Sequence, residues 1–291
     1  MVTATLVGVV AVLMWGSLAL LTTWTGDVPP FQLVAMSFAI AFLLALGKWG
    51  LRRERPTTHL LHPVQVWLVG LGGLFGYHFL YFLALRNAPP AEASLIAYLW
   101  PLLIVLFSAL LPNERLRWYH LAGAATGLAG CVILIGANGT LEFSSTYFVG
   151  YLSALGTALV WSGYSVLSRR FGTLPTDTVG WFCASIAVLG LACHLLFETT
   201  VWPDGAGQWL AVLGLGLGPV GLAFFVWDIG VKRGNIKVLG AMSYGAPLIS
   251  TLALVAFGMA DPTPALGVAC FSIVGGAVLA AKDMFRRRSA A

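Results

Sequence analysis

The residues with the chemistry to hold a small molecule lie inside apolar runs, and several of them occur twice. Tyr98-Leu99-Trp100-Pro101 stands in the middle of one run and Ser243-Tyr244-Gly245-Ala246-Pro247 in the middle of another. Pro247 follows Pro101 by 146 residues in a chain of 291, half a chain away. A proline inside a helix lacks an amide donor and frees the carbonyl four residues earlier, here those of Ala97 and Ser243. Within hydrocarbon such a break is tolerated where it faces protein or a water-filled cavity. Paired breaks at matching places in two halves point to the binding site of a membrane transporter. Pro101 and Pro247 are therefore candidate hinges and candidate binding residues together.

Other candidates sit at similar depth. His78 lies near the centre of an apolar run, with Tyr81 and Phe82 three and four residues on and so on the same helix face. An ionisable residue inside a membrane is a functional candidate, although a neutral histidine bonded to a backbone carbonyl is the competing reading. Ser94, Tyr98 and Pro101 share a face. Tryptophan in membrane proteins belongs mostly to the interfacial belts, yet Trp15, Trp100 and Trp161 fall mid-run, where they either fill the core or line a cavity. Asp228 is the one acidic residue well within a run. It lies about a turn from the run's end, and Lys232 four residues on can pair with it, which suits a structural pair or a gate better than a substrate ligand.

These residues need a membrane to make sense. The chain is 59% hydrophobic and 9% charged, with a mean hydropathy of +0.88, whereas soluble domains carry about 25% charged residues. Ten runs of a length that crosses a bilayer are expected: Thr3–Trp24, Phe31–Trp49, Gln65–Arg86, Ala91–Leu111, Trp118–Ala137, Phe148–Arg170, Val179–Phe197, Gln208–Val231, Ile236–Phe257 and Pro264–Lys282. Short connections rich in Pro, Gly and Asp join them. All the lysines and arginines except Arg86 fall on one side of such a bundle, including Arg286, Arg287 and Arg288, so both termini should be cytoplasmic. Met1 leads straight into the first run, which reads as a retained helix and not a cleaved leader.

The offset of 146 pairs Trp15 with Trp161, Phe79 with Phe225, Tyr98 with Tyr244, Pro101 with Pro247, Gly130 with Gly276 and, as aromatics, Tyr81 with Trp227. Each half, residues 1–146 and 147–291, then holds five spans. An odd number inverts the second half relative to the first. The expected fold is an all-α polytopic membrane protein, ten transmembrane helices forming two inverted five-helix repeats around a central cavity.

Several chemistries find no seat. The net charge of +5 sits in short loops and not on a basic face, so a nucleic-acid partner is not expected. Gly214-Leu215-Gly216-Leu217-Gly218 lies within an apolar run and reads as close helix packing, as do Gly72 with Gly76 and Gly123 with Gly127. No GxxxxGK[ST] element is present, so neither ATP nor an ATPase subunit is implied. The four cysteines show neither disulfide nor metal spacing. No catalytic residue, metal or cofactor is expected. An intramembrane enzyme would have only Ser–His78 pairings to work with, and a purely structural subunit would leave the paired prolines unexplained.

Three features resemble the drug/metabolite transporter superfamily in its EamA-type branch over essentially the whole chain. They are Trp15-Gly16-Ser17, Pro101 followed by Asn113-Glu114-Arg115-Leu116, and the glycine-rich fifth span. Tyr98-Leu99-Trp100-Pro101, Trp161-Ser162-Gly163-Tyr164 and Trp227-Asp228-Ile229-Gly230, running on to Ser243-Tyr244 and Pro247, look like the aromatic amino acid exporters of the YddG type. The resemblance implies a secondary transporter of the bacterial inner membrane that exports amino acids, aromatic and other neutral ones, by alternating access. The alternative is a broad exporter of drugs, organic cations or metabolites on the same fold. A zwitterionic aromatic substrate would stack on Tyr81, Tyr98, Trp100, Trp161 and Tyr244. Its ammonium would meet the carbonyls freed by Pro101 and Pro247, and its carboxylate a donor from His78 or Ser243.

Overall fold

The computed structural model describes residues 1–112, 114–137 and 141–282, and no strand occurs among them. Asn113 and the basic run Arg286, Arg287 and Arg288 lie outside the described residues. The helices are α1 (Val2–Gly16), α2 (Leu18–Trp24), α3 (Pro30–Leu51), α4 (Val64–Asn87), α5 (Pro90–Ala97), α6 (Trp100–Phe107), α7 (Trp118–Gly136), α8 (Phe148–Ser168), α9 (Thr178–Phe197), α10 (Gly205–Leu217), α11 (Leu222–Arg233), α12 (Ile236–Met242), α13 (Gly245–Ala256) and α14 (Pro264–Ala280). Eight helical segments are long and apolar enough to cross a membrane, four of them built from two helices in succession. The shorter α14 is also apolar, and α8 runs unbroken for 21 residues. Large apolar side chains such as Leu43, Leu68, Leu196 and Phe271 point outward, a surface that suits lipid and not water.

Local chemistry sets the helix starts. Pro30, Pro90 and Pro264 occupy first-turn positions, where a missing amide hydrogen costs nothing. Asn235 and Thr263 cap α12 and α14 through their side-chain oxygens. Pro101 and Pro247 act in the same way. Pro101 is the second residue of α6 and Pro247 the third of α13, so each proline begins the second half of a broken segment. The backbone turns just before them, at Tyr98-Leu99 and Ser243-Tyr244. The Ser243 carbonyl accepts the Ala246 amide at 3.1 Å, so it is not the unpaired acceptor that the proline rule predicts; a tight turn takes the place of the lost helical bond.

Two further breaks were not foreshadowed. Ser17 separates α1 from α2, its hydroxyl donating to the Met14 carbonyl at 2.7 Å. Residues 218–221 separate α10 from α11, so the glycine run ends a helix instead of continuing a span. Gly216 does pack closely on Ile40, as expected for a small residue at a helix contact. Gly221 is different in kind: a Cβ there would lie 1.6 Å from the Gly216 carbonyl oxygen. Only glycine fits that turn.

The most extensive helix contacts join α7 with α14, α4 with α8, α3 with α9 and α1 with α11. Gly123 and Gly276 face each other across the first seam, each so close to the other's carbonyl that a Cβ would stand 2.5 Å away. Gly72, expected to bring helices together, instead faces open space, and Gly76 meets only Val160.

Contacts also sort the two ends of the bundle. At one end Glu114 binds Arg169 at 3.0 Å and Lys237 at 2.7 Å, Asn235 donates its amide to Thr5 at 2.9 Å, and Lys282 lies over Trp118. Thr5 and Lys282, near the two ends of the described residues, therefore lie at the same basic face. Lys48 pairs there with Asp177. Burial alone would raise the Asp177 carboxyl, but Lys48 and the Trp49 N–H outweigh it and hold it below the usual carboxylate value. At the other end Glu198 accepts the amides of Phe31 and Gln32 at 3.0 and 3.1 Å and meets His194 at 3.0 Å, a carboxylate held at the start of a helix where the free amides and dipole favour it. Glu198→Ala should lower stability by roughly 2 kcal/mol or more, because two amide donors lose their partner. The thermal midpoint of the purified protein in detergent measures it, and an unchanged midpoint would remove the capping role.

Candidate substrate cavity

A cavity of about 360 Å³ opens between the helices, within the range of roughly 300–1,000 Å³ that suits small molecules. Its floor is tryptophan. Trp15 from α1, Trp100 from α6 and Trp161 from α8 line it from below, and Trp227 from α11 lies fully buried beneath them. Each of the four indoles contacts the other three at centroid distances of 5.0–6.1 Å. Their tilts are mostly edge-to-face, which the ring quadrupole favours. The Trp15 N–H donates to the Pro219 carbonyl at 3.1 Å and the Trp227 N–H to Ser165 Oγ at 3.2 Å. The first of these bonds is available because α10 breaks at residues 218–221.

The walls rise from α3, α4 and the break between α5 and α6. Tyr77 and Tyr81, one turn apart on α4, stack at 6.0 Å with an interplanar angle of 11°, and the Tyr81 hydroxyl shares a hydrogen bond with Ser94. Tyr98 reaches the cavity from the turn between α5 and α6. His78 stands on the wall with Phe38, Phe82 and Phe224 around it. At the mouth, Thr25, Gly26, Val28 and Pro30 connect α2 to α3. The cavity thus runs from mid-bundle to the end away from the basic face, and among the described residues no Asp, Glu, Lys or Arg lines it.

The candidates separate into two groups. Trp15, His78, Tyr81, Tyr98, Trp100 and Trp161 line the cavity. Pro101, Ser243, Tyr244 and Pro247 are buried behind it. Ser243 donates its hydroxyl to Leu239 at 2.7 Å, Tyr244 presses its ring into the space beside Gly127, and the Pro101 carbonyl abuts Gly240. Ala246, not Tyr244, is the residue of that stretch on the wall. Tyr77, Phe224 and Ser37 also belong to the wall. Tyr77 was findable, as the helical neighbour of Tyr81 four residues away; Ser37 carries no such signal.

Beneath the tryptophans comes a charged layer. Asp228 pairs with Lys232 at 2.9 Å, both side chains nearly inaccessible, and its second oxygen accepts the Thr176 hydroxyl at 2.7 Å. The Glu114–Arg169–Lys237 cluster lies in the same end, and Arg169 also donates to the carbonyl of Gly234 at 2.9 Å. Glu54, His59 and Asp177 approach one another there as well, but Lys48 already holds the Asp177 oxygen. The layer joins the ends of several helices on the basic face.

An all-helical membrane bundle enclosing an uncharged aromatic cavity, open at one end and closed at the other, is the arrangement of a solute transporter. The chain belongs to the EamA-like transporter family, which matches residues 2–136 and again 148–281. It is 56% identical to the aromatic amino acid exporter YddG of Ancylobacter novellus, over 95% of this chain and 96% of that one. It is 26% identical to the exporter of the same name from Salmonella typhimurium, over 95% and 93%. A solved crystal structure 55% identical in sequence superposes with a TM-score of 0.91, covering 96% of this chain and 98% of the other.

The Asp228–Lys232 pair yields a direct test of the closed end. Asp228→Ala strands a buried ammonium and should cost about 3–5 kcal/mol, whereas Asp228→Ala combined with Lys232→Met should recover most of it. Thermal midpoints of the three proteins in detergent give the comparison. A double variant no better than the single one would mean the pair does not act as a unit.

Proposed function

We propose that this chain exports amino acids, aromatic and other neutral ones, from the cytoplasm across the bacterial inner membrane by alternating access. The observation that carries the reading is the cavity itself, whose tryptophan floor and tyrosine walls offer aromatic faces for stacking and for a cationic ammonium. Among the described residues no basic cluster lines it, which argues against phosphorylated substrates. The 56% identical relative is named as an aromatic amino acid exporter.

The finer architecture we propose is ten membrane-crossing helices in two inverted repeats, residues 1–146 and 147–291. Three observations support it. The family matches each half separately. The breaks before Pro101 and Pro247 fall within a residue of one another at the 146-residue offset. The helix pairing also survives exchange of the halves: α3 with α9 and α7 with α14 are matching partners, and α1 with α11 becomes α8 with α4. Under the positive-inside rule the basic face is cytoplasmic, so both termini are cytoplasmic and the cavity opens to the periplasm. Loading from inside then requires the tryptophan floor and the charged layer with Asp228 to part, with Pro101 and Pro247 as the hinges.

Counterflow in proteoliposomes tests this reading. Liposomes preloaded with unlabelled tryptophan, phenylalanine or threonine should take up labelled tryptophan at least about tenfold faster than empty ones. A preload of the organic cation tetraphenylphosphonium should not drive that uptake. Exchange of the cation alone would move the function to drug efflux. Absence of exchange by folded protein would overturn transport altogether.

A further inference from the structure

The wall of the cavity is chemically one-sided at His78. Its Nδ1 lies 2.7 Å from the Leu74 carbonyl oxygen. A carbonyl can only accept, so Nδ1 carries the hydrogen, and in a neutral imidazole the other nitrogen is then a bare acceptor. Among the described residues no carboxylate lines the cavity to favour a second proton. Phe38 and Tyr77 at 5.3 Å, Phe224 at 6.1 Å and Phe82 at 6.3 Å surround the ring, which leaves Nε2 as an acceptor in a mostly aromatic niche. No hydrogen bond to Nε2 occurs among the described residues.

The remaining polar groups of the wall have different uses. The Trp15 N–H is taken by Pro219 and the Thr25 hydroxyl by Thr22. Among the described residues the hydroxyls of Tyr77 and Tyr98 have no hydrogen-bond partner, and Ser37 Oγ on the same wall is buried without one. The carbonyl of Ser243, once a candidate for holding an ammonium, is bonded to Ala246 and lies behind the wall.

We infer that His78 reads the amino group of the substrate: Nε2 of the neutral ring accepts a hydrogen bond from the ammonium, while the tyrosine hydroxyls face the carboxylate. This rests on the amino acid reading above and reverses the expectation that His78 donates to the carboxylate. The Leu74 carbonyl is the orienting element, because it selects the tautomer. The aromatic faces beside Nε2 add cation–π attraction to the same charge. Specificity follows from the polarity of the niche: an analogue without the amino group leaves Nε2 desolvated and unpaired, and sites built to bond a substrate N–H reject such analogues strongly.

Ligand-induced shifts in thermal midpoint, titrated on the full-length protein in detergent, separate the possibilities. The probes are tryptophan, tryptamine with its amine alone, and indole-3-propionate with its carboxylate alone. The wild type should bind both amines more tightly than the acid. His78→Phe should weaken both amines by roughly 10- to 100-fold, the loss of one hydrogen bond to a charged group, and leave the acid within about twofold. His78→Gln, whose amide oxygen can accept, should recover part of the amine affinity. Equal weakening of all three probes by His78→Phe would reduce His78 to a structural role and overturn the assignment. Wild-type protein that binds indole-3-propionate as tightly as tryptophan would overturn it without any variant. Intact amine-selective binding with no counterflow would instead overturn the transport reading and leave His78 in place.

Discussion

Four indole rings meeting at mid-bundle are the contact on which the rest of the structure depends. Trp15, Trp100, Trp161 and Trp227 come from four different helices, so their mutual packing ties α1, α6, α8 and α11 together at one depth. Above them the helices diverge into a cavity; below them the space is filled and then charged. Aromatic pairs of this kind contribute about 0.5–1.5 kcal/mol each beyond the area they bury, and here each ring belongs to three pairs at once. That seal keeps water from the paired charges below, so that removing either partner would strand a buried charge at high cost.

The backbone obeys a matching constraint. In hydrocarbon a break in a helix must satisfy its own polar groups or face a cavity, and here the breaks lie in the middle of the bundle. The turn before Pro247 closes its own hydrogen bond, the Pro219 carbonyl takes the Trp15 N–H, and the Ser17 hydroxyl returns to Met14. On α8 the small and hydroxylated face turns inward, with Ser153, Thr157 and Ser162 bonding carbonyls one turn back, while leucines face out. Hydroxyls occupied in this way let a polar face pack without needing a partner across the helix contact.

How much of this was legible follows from what a local pattern can report. Apolar runs, their basic flanks and tryptophans stranded at mid-run are local facts, and they carried the membrane class, the crowding of basic residues at one end and the tryptophan floor. The 146-residue offset located both proline breaks, because a proline is tolerated only in the first turn of a helix and so marks where a new one begins. It misplaced Ser243 and Tyr244 on the cavity wall, since matched positions in sequence need not share surroundings: Tyr98 faces the cavity, whereas Tyr244 faces α7. The break at residues 218–221 was hidden because glycine serves both close packing and sharp turns, and only the contact of Gly216 with Ile40 and the geometry of Gly221 tell them apart. Ser37 had no signal, because an isolated serine in an apolar run ordinarily bonds its own helix.

Unequal bending of equivalent segments has one more consequence. Segments one and eight are interrupted at Ser17 and at 218–221, but their counterparts at the 146-residue offset, Gly163 in α8 and residues 72–75 in α4, run through unbroken helix. Gly72 and Gly163 both have vacant space where a side chain would project. Under the proposed repeat, exchanging the conformations of the halves relocates these bends instead of creating new ones, with room beside Gly72 and Gly163, while Gly73 would have to part from Tyr164. The two end states then differ in which half is creased, not in how many creases the chain must hold. Near-degeneracy of that kind lets a small ligand tip the balance between them.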